Sequence, residues 1–227
     1  MVKKIFGFFL VIFVGAAFAV NPDFKEGKHY QQVPYEITEN EHVKALAQAH
    51  KNQVIVLEFF SYGCHWCNEL EPHIRLWLEQ KKPDYVIFIR NPVVFQNAWV
   101  NLSKAYYTAE SLNKLDKTHA AMFKAIHTSH KLTTASEKDL EDFFKSYGVS
   151  KDDFTKTFES FGVEQAYKQA NQLASAFKIT SIPAFIVMGP NGAFLTSTRM
   201  AGSEAALFEV IDALSEEEHR ALVTHEG

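Results

Sequence analysis

The sequence contains very little cysteine, and this scarcity excludes one class of exported protein. Only two cysteines, Cys64 and Cys67, occur among the 227 residues. A scaffold of several disulfides, of the kind that stabilises small exported proteins, therefore cannot form. The chain does not depend on one, because 47% of its residues are apolar, and its 20 phenylalanines can fill a sizeable core. The two thiols therefore serve another purpose.

The sequence also lacks an excess of positive charge. Its formal net charge is −4, and no basic cluster is interleaved with aromatic residues. Proteins that bind nucleic acids usually present such a basic surface, so we predict no nucleic-acid partner. After the N-terminus the chain has no repeat, no low-complexity tract and no linker rich in proline and glycine. It is long enough for one large domain, or for one domain that carries an insertion.

The N-terminus has the three parts of a secretory signal peptide. Lys3 and Lys4 form a basic head, residues 5–14 are almost wholly apolar, and Ala17-Phe18-Ala19 offers a cleavage site. A retained membrane anchor is the alternative, but the uncharged run is shorter than the roughly 20 residues that span a bilayer. No cysteine near the cleavage site can carry a lipid. We therefore predict a signal peptide at residues 1–19 and a periplasmic mature protein with a charge of about −6.

The distribution of apolar residues after the signal peptide predicts an α/β protein. Continuous apolar runs indicate strands, and apolar residues at helical spacing indicate helices. The predicted strands are residues 35–38, 54–60, 84–90, 183–188 and 193–198, and the predicted helices are residues 40–50, 64–79, 101–127, 163–177 and 203–219, with two more that begin after Ser136 and Ser150. We predict residues 20–99 as the first part of a sheet domain, residues 100–178 as a helical insertion, and residues 179–227 as the hairpin and helix that complete the domain.

Cys64 and Cys67 form a C-x-x-C pair, which has three common uses. A structural zinc site needs four ligands, usually from two separated pairs, and this chain has no second pair, so we predict no metal. A purely structural disulfide would close a nearly minimal loop and contribute little stability. A redox-active pair is the interpretation that remains.

The position of the pair favours redox chemistry. If Cys64 begins a helix after a buried strand, unpaired backbone N–H groups and the helix dipole stabilise its thiolate. Its pKa is then expected below that of a free cysteine. Cys67 lies one turn further along the helix and should be less exposed. We predict that substrate thiols attack Cys64 and that Cys67 is its internal partner.

Glu58 interrupts the apolar run of residues 54–60, and its role depends on where that strand lies. On an edge strand the carboxylate would stay in water. On a strand buried on both faces it would be desolvated and its pKa would rise. A buried Glu58 could then exchange a proton with Cys67 as the disulfide opens and closes.

Together these features resemble the thioredoxin superfamily and, within it, the DsbA-type thiol:disulfide oxidases of the bacterial periplasm. The resemblance extends over essentially the whole mature chain. It rests on residues 58–62 (EFFSY) before the C-x-x-C pair, on the lead-in at residues 25–30 (KEGKHY), on the helical insertion, and on Ile182-Pro183 before the closing hairpin and helix.

The resemblance implies a thioredoxin-like fold with a helical insertion subdomain and an oxidase that passes its disulfide to reduced exported proteins. It implies a cis Pro183 against the disulfide, backbone hydrogen bonds from Ile182 to an extended substrate, and Glu58 in the family's buried acid position. A membrane reoxidase of the DsbB type is the implied partner, and no bound cofactor is required. The basic residue that accompanies this acid has no clear counterpart, because Asp84 falls near its place and only Lys82 is close.

The chain departs from the family pattern between its cysteines, where His65-Trp66 replaces the usual Pro-His. We expect His65 to donate a hydrogen bond to the Cys64 thiolate and Trp66 to contact substrate. Elsewhere, His119 lies on an apolar helical stripe, so we interpret it as a hydrogen-bonded structural residue.

Two alternatives stay open. One is an isomerase or reductase with the same fold. Isomerases of the DsbC type carry an N-terminal dimerisation module and usually a threonine before the cis-proline, whereas this chain has a short lead-in and Ile182. The other is a non-catalytic metal-binding or chaperone-like module, whose binding would survive the loss of Cys64. The chain could be a monomer or a homodimer.

Overall fold

The apolar run Val54–Phe60 forms the central strand of a five-stranded sheet in the computed structural model, which describes residues 24–132 and 135–225. The strands are β1 (Gln31–Gln32), β2 (Val54–Phe60), β3 (Val86–Pro92), β4 (Ala184–Gly189) and β5 (Gly192–Thr196), in the spatial order β1-β5-β4-β2-β3. β2 and β3 are parallel, and the remaining pairs are antiparallel. The predicted parallel core with an added antiparallel hairpin is confirmed.

Ten α-helices occur in the described part of the chain, and most begin where a capping side chain is available. They are α1 (Tyr35–Thr38), α2 (Glu41–Ala49), α3 (His65–Gln80), α4 (Val100–Ser111), α5 (Leu115–His127), α6 (Glu137–Lys145), α7 (Lys151–Phe158), α8 (Phe161–Ala176), α9 (Thr198–Ala201) and α10 (Glu204–His225), with a 3-10 turn at Asn97–Trp99. Asn40, Ser136 and Ser150 each accept a hydrogen bond from a backbone N–H of the following helix, which confirms these predicted starts.

Three predicted elements differ from the structure. Residues 35–38 form α1 instead of a strand, because four residues after Pro34 are too few for a pattern to separate the two structures. The helical stretch 101–127 is two helices, since Asn113 has a φ of 54° and interrupts the helical backbone between α4 and α5. The last helix continues beyond the predicted end to His225.

The two faces of β2 lie in different layers of the core. Val54 and Val56 pack with α3 and α10, whereas Ile55, Leu57 and Phe59 pack with side chains from α2 and α8 on the opposite face. All seven residues of β2 are buried. Each fully buried aliphatic or aromatic side chain contributes roughly 1.5–3 kcal/mol relative to an exposed one. Burial on both faces therefore stabilises the strand that leads to the cysteines.

The insertion helices α4 to α7 form a third apolar cluster that contains both cysteines. Phe60 and Tyr62, at the end of β2 and just after it, join this cluster. The block of helices therefore closes over one side of the C-x-x-C pair.

The predicted signal peptide at residues 1–19 lies outside the described residues. The boundaries that divide the chain at residues 99/100 and 178/179 stay a prediction. Within the described ranges, no helix combines the length and apolar character needed to cross a membrane.

Candidate active site

Cys64 and Cys67 lie at the start of α3, directly after the buried strand, and both are free thiols. Cys64 is the N-cap residue, and its sulfur accepts a hydrogen bond from the backbone N–H of Cys67 at 3.4 Å. The hydrogen bond with the Cys67 side chain, together with the backbone N–H groups of Cys67 and Trp66, lowers the pKa of Cys64 to about 7 against the opposing effect of burial. Burial raises the pKa of the Cys67 thiol well above its usual value. The two sulfurs are therefore strongly unequal.

The loop before β4 brings a proline close to the cysteines. The Ile182–Pro183 peptide bond is cis, as the resemblance predicted. The Cys64 sulfur lies 3.8 Å from the carbonyl oxygen of Ile182. Trp66, Ile182 and Pro183 line a cleft of about 490 Å³ beside the pair. The Trp66 side chain is 69% exposed, so it is available to an incoming molecule.

His65 is exposed between the two cysteines. Its ring lies 5.3 Å from the Trp66 ring and 6.1 Å from the His127 ring, centroid to centroid. Among the described residues no hydrogen bond joins His65 to Cys64, so the catalytic role of His65 stays a prediction.

Glu58 is buried on β2, with 1% of its surface exposed. This burial excludes the edge-strand alternative and raises the pKa of Glu58 to about 8. Its partner is Arg90, whose Nε lies 3.2 Å from Oε2 of Glu58. Arg90 was not predicted as this partner, because the family pattern places the basic residue near Lys82 and Asp84. The parallel register pairs Glu58 directly with Arg90, at the far end of the predicted strand.

A second buried carboxylate, Glu71, shares Arg90 with Glu58. Both carboxylate oxygens of Glu71 accept from Nη2 of Arg90 at 3.0 Å, and Oε2 also lies 3.2 Å from Nε2 of His119. Burial alone would raise the pKa of Glu71, but His119 and Arg90 together hold it below its usual value. Sequence reasoning did not identify Glu71, although helical spacing places it one turn after Cys67 on the same side of α3.

His119 is a buried, hydrogen-bonded residue, as predicted, and it connects the insertion to the site. Its Nδ1 lies 2.8 Å from the hydroxyl of Tyr62, and its Nε2 contacts Glu71. Burial lowers the pKa of His119, so the ring is neutral. A neutral ring that donates from Nε2 and accepts the Tyr62 hydroxyl at Nδ1 satisfies both contacts.

The segment between β2 and Cys64 contacts two further residues, one in the insertion and one just before it. Nε2 of His127 donates to the backbone carbonyl of Tyr62 at 2.7 Å. The Trp99 indole lies against Gly63 so closely that a Cβ at this position would collide with it. Glycine is therefore required at residue 63 by close approach.

Comparisons with known proteins agree with this geometry. A sequence model described as "DSBA-like thioredoxin domain" matches residues 55–208. The thiol:disulfide interchange protein DsbA of Pseudomonas syringae pv. tomato is 36% identical over 78% of this chain and 80% of its own length. The DsbA of Azotobacter vinelandii is 32% identical over 88% of this chain and 86% of its own.

Solved structures lead to the same family. The crystal structure of Pseudomonas aeruginosa DsbA aligns with a TM-score of 0.73 and 31% identity, over 88% of this chain and 97% of that one. The Xylella fastidiosa oxidoreductase DsbA has a TM-score of 0.75 at 24% identity, over 86% of this chain and 98% of that one, and shows the shared fold. The predicted thioredoxin-like fold with a helical insertion is thus confirmed, and the chain belongs to the DsbA-like thioredoxin domain family of thiol:disulfide oxidoreductases.

Proposed function

We propose that this protein acts in the periplasm as an oxidase, whose Cys64–Cys67 disulfide is transferred to reduced exported proteins. The observation that carries the proposal is the inequality of the two thiols. Cys64 has a pKa of about 7, so much of it is thiolate at neutral pH. A stabilised thiolate favours the reduced pair, and a pair that is stable when reduced is an oxidant when it holds the disulfide.

The exchange consists of two thiol–disulfide displacements. A substrate thiolate attacks the Cys64 sulfur, the bond between Cys64 and Cys67 breaks, and a mixed disulfide forms on Cys64. A second substrate thiolate then attacks the substrate sulfur of the mixed disulfide, and Cys64 leaves as a thiolate. Two electrons pass from the substrate to the cysteine pair, and the substrate gains the disulfide.

Glu58 supplies the proton that the first displacement requires. Cys67 leaves as a thiolate in a buried environment that strongly favours the protonated thiol. Glu58, with a pKa of about 8, carries a proton at neutral pH. Once Glu58 is ionised, its charge contributes to the raised pKa of Cys67. Proton transfer from Glu58 to Cys67 therefore avoids a buried thiolate, and the reverse transfer accompanies reoxidation.

The cleft lined by Trp66, Ile182 and Pro183 is where we place the substrate chain. An extended segment there can bond to the backbone of Ile182 while the Trp66 ring covers its side chains. A membrane reoxidase of the DsbB type would restore the disulfide. The proposal needs no cofactor beyond the cysteine pair and leaves the choice between monomer and homodimer open.

The test is the redox equilibrium of the Cys64–Cys67 pair with glutathione, measured on the metal-free mature protein. We expect the pair to be more oxidising than glutathione. An equilibrium close to that of thioredoxin would contradict the oxidase and would indicate the reductase alternative. Cys64→Ser should abolish exchange with a reduced, unfolded protein, whereas a non-catalytic binding module would keep its binding after this change.

The role of His65 needs a separate comparison. If His65 stabilises the Cys64 thiolate, His65→Ala should make the pair less oxidising and raise the pH at which Cys64 ionises, followed by thiolate absorbance. His73→Ala, at an exposed position on α3, is the matched control and should change neither property. Equal behaviour of the two variants would remove His65 from the proposed site.

A further inference from the structure

Two buried carboxyl groups compete for one guanidinium beneath the cysteine pair. Glu58 lies on β2 and Glu71 on α3, and both contact Arg90. If both were ionised, the cluster would carry a net charge of −1 at a site where both carboxyls are buried. One proton shared between the two carboxyls removes this cost. The question is which of them carries it.

The contacts of the two carboxyls differ sharply. Glu71 accepts hydrogen bonds at both oxygens from Nη2 of Arg90 and a third from His119. Glu58 lies within ion-pair distance of Nε of Arg90, but Oε2 of Glu58 and Nε of Arg90 have no aligned hydrogen bond among the described residues. Hydrogen bonds to a charged carboxylate stabilise that form. The cluster is therefore arranged with Glu71 as the ionised member.

His119 is the residue that makes the two carboxyls unequal. Its ring is fixed by aromatic contacts at 5.2–6.1 Å with Phe60, Tyr62, Tyr106 and Phe123. When the Tyr62 hydroxyl donates to Nδ1, the proton of the neutral ring is on Nε2 and faces Glu71. No comparable donor from the insertion reaches Glu58 in the described part of the chain.

We propose that His119 is a positioning residue for the exchange reaction. Its hydrogen bond to Glu71 stabilises the ionised form of Glu71 as the ion-pair partner of Arg90. Glu58 is then the carboxyl that carries the proton. This inference rests on the proposed role of Glu58 as the proton donor to Cys67. It extends the active site from the cysteine pair to a helix of the insertion, 55 residues further along the chain than Cys64.

The ionisable groups around His119 are consistent with this assignment. Glu71 faces it from α3, Arg90 from β3, Tyr106 from α4, and Tyr62 from the segment after β2. Burial raises the pKa of both tyrosines, so they stay neutral phenols at physiological pH. Arg90 stays charged, because the two carboxylates raise its pKa against the effect of burial. Within the oxidised cluster, the proton therefore lies on one of the two glutamates.

The direct test is a carbon-13 NMR titration of the glutamate side-chain carboxyls in the oxidised protein, in which neither sulfur titrates. Glu58→Gln and Glu71→Gln assign the two signals. In the parent, we expect Glu58 to titrate at a higher pH than Glu71. In His119→Phe, the midpoint of Glu58 should fall by roughly one pH unit or more, and that of Glu71 should rise.

Two further variants separate positioning from packing. His119→Gln offers one donor and one acceptor, as the neutral ring does, and should keep the midpoint of Glu58 close to that of the parent. Glu71→Gln should lower the midpoint of Glu58 as His119→Phe does. Because His119 acts through Glu71, the double variant should show no further shift beyond that of Glu71→Gln alone.

An unchanged Glu58 midpoint in folded His119→Phe would overturn the inference, and so would an additive shift in the double variant. If His119→Phe does not fold, the parent titration still decides, because a Glu71 midpoint above that of Glu58 contradicts the assignment. The titration reports the protonation of the two carboxyls without using the exchange reaction, so the two failures can be distinguished. If the carboxyls behave as expected but Glu58→Gln leaves the exchange rate and its pH profile unchanged, the proton-donor role of Glu58 fails. The contribution of His119 to the exchange then fails with it, and only the assignment of the proton to Glu58 stands.

Discussion

The two faces of the central strand β2 differ in what they bury. One face presents Ile55, Leu57 and Phe59 to an apolar cluster. The other begins with Val54 and Val56 and then presents Glu58, next to Arg90 and beneath the cysteine pair. The same seven-residue strand therefore contributes to an ordinary core on one side and to a charged cluster on the other.

One face of β2 therefore contributes mainly to stability, and the other contributes to the chemistry of the cysteines. When a side chain in an apolar layer is shortened, the free energy of unfolding falls in proportion to the volume removed. The apolar side chains have no ionisable group through which they could affect the cysteines. A buried charged cluster is costly to form, and it responds sharply when one member is removed or changes its protonation. Substitutions on the two faces should therefore differ in kind as well as in size.

The largest effect is expected from removing the shared cation. Arg90→Leu leaves two buried carboxyls without a counter-charge and should lower the free energy of unfolding by about 3–5 kcal/mol at pH 7. Chemical denaturation measures this loss, and Arg75→Leu at an exposed position of α3 should stay within about 0.5 kcal/mol of the parent. Equal losses for the two variants would mean that the cluster is not stabilised by Arg90.

A loss of similar or slightly smaller size is expected on the apolar face, without a chemical consequence. Leu57 is fully buried, so Leu57→Ala should cost about 3 kcal/mol through lost contacts and a cavity. The pH dependence of exchange with glutathione should keep its midpoints, because no charged group is altered. Leu76→Ala, at a side chain that is 47% exposed, is the matched control for stability. A shifted pH profile in Leu57→Ala would break the separation between the faces.

The polar face should instead make stability depend on pH. Burial raises the pKa of Glu58 from 4.5 to about 8, so the folded state holds this proton more tightly than the unfolded state does. The contribution of Glu58 is therefore most favourable below pH 4.5 and is lost as the pH rises towards 8. Glu58→Gln removes this loss, so its advantage over the oxidised parent should grow by roughly 2–4 kcal/mol between pH 5 and pH 8.

Denaturation curves at several pH values, recorded on the oxidised proteins, test this prediction. Glu79→Gln, at an exposed position on α3, serves as the control and should follow the parent at every pH. A constant difference between Glu58→Gln and the parent would show that Glu58 does not change its protonation in this range.

The smallest effect on stability is expected outside both faces, at Trp66. Because its side chain is 69% exposed, Trp66→Ala should change the free energy of unfolding by less than about 0.5 kcal/mol. Its exchange with a reduced peptide should slow by about 2- to 10-fold, the equivalent of a lost aromatic contact. Phe161→Ala, 79% exposed and far along the sequence, should leave this rate unchanged. A normal rate in Trp66→Ala would remove Trp66 from the substrate cleft.

Those parts of the fold that depend on residues close together in the sequence could be predicted from it. Apart from Glu58, residues 54–60 are apolar and mostly β-branched or aromatic, and they form β2 over the predicted range. The serines before α6 and α7 cap those helices as expected. The pattern was wrong at residues 35–38, where four residues after a proline fit a helical turn as well as a strand.

The site was predicted less completely, because its polar partners are distant in sequence. Cys64 and Glu58 lie in one short segment, so their roles could be argued from order alone. Arg90 is opposite Glu58 only because β2 and β3 pair in this register. His119 meets Tyr62 across 57 residues and Glu71 across 48, and no spacing rule predicts such contacts before the insertion is folded onto the sheet.

Both residues between the cysteines are exposed, so they are suitable positions for protein engineering. His65 and Trp66 both point away from the core at the first turn of α3, whereas the cysteines beside them are buried. Other residue pairs can therefore be installed there without repacking the interior. A library at these two positions is therefore expected to vary the oxidising strength of the protein while leaving its core packing unchanged, which would give a graded series of disulfide donors on one scaffold.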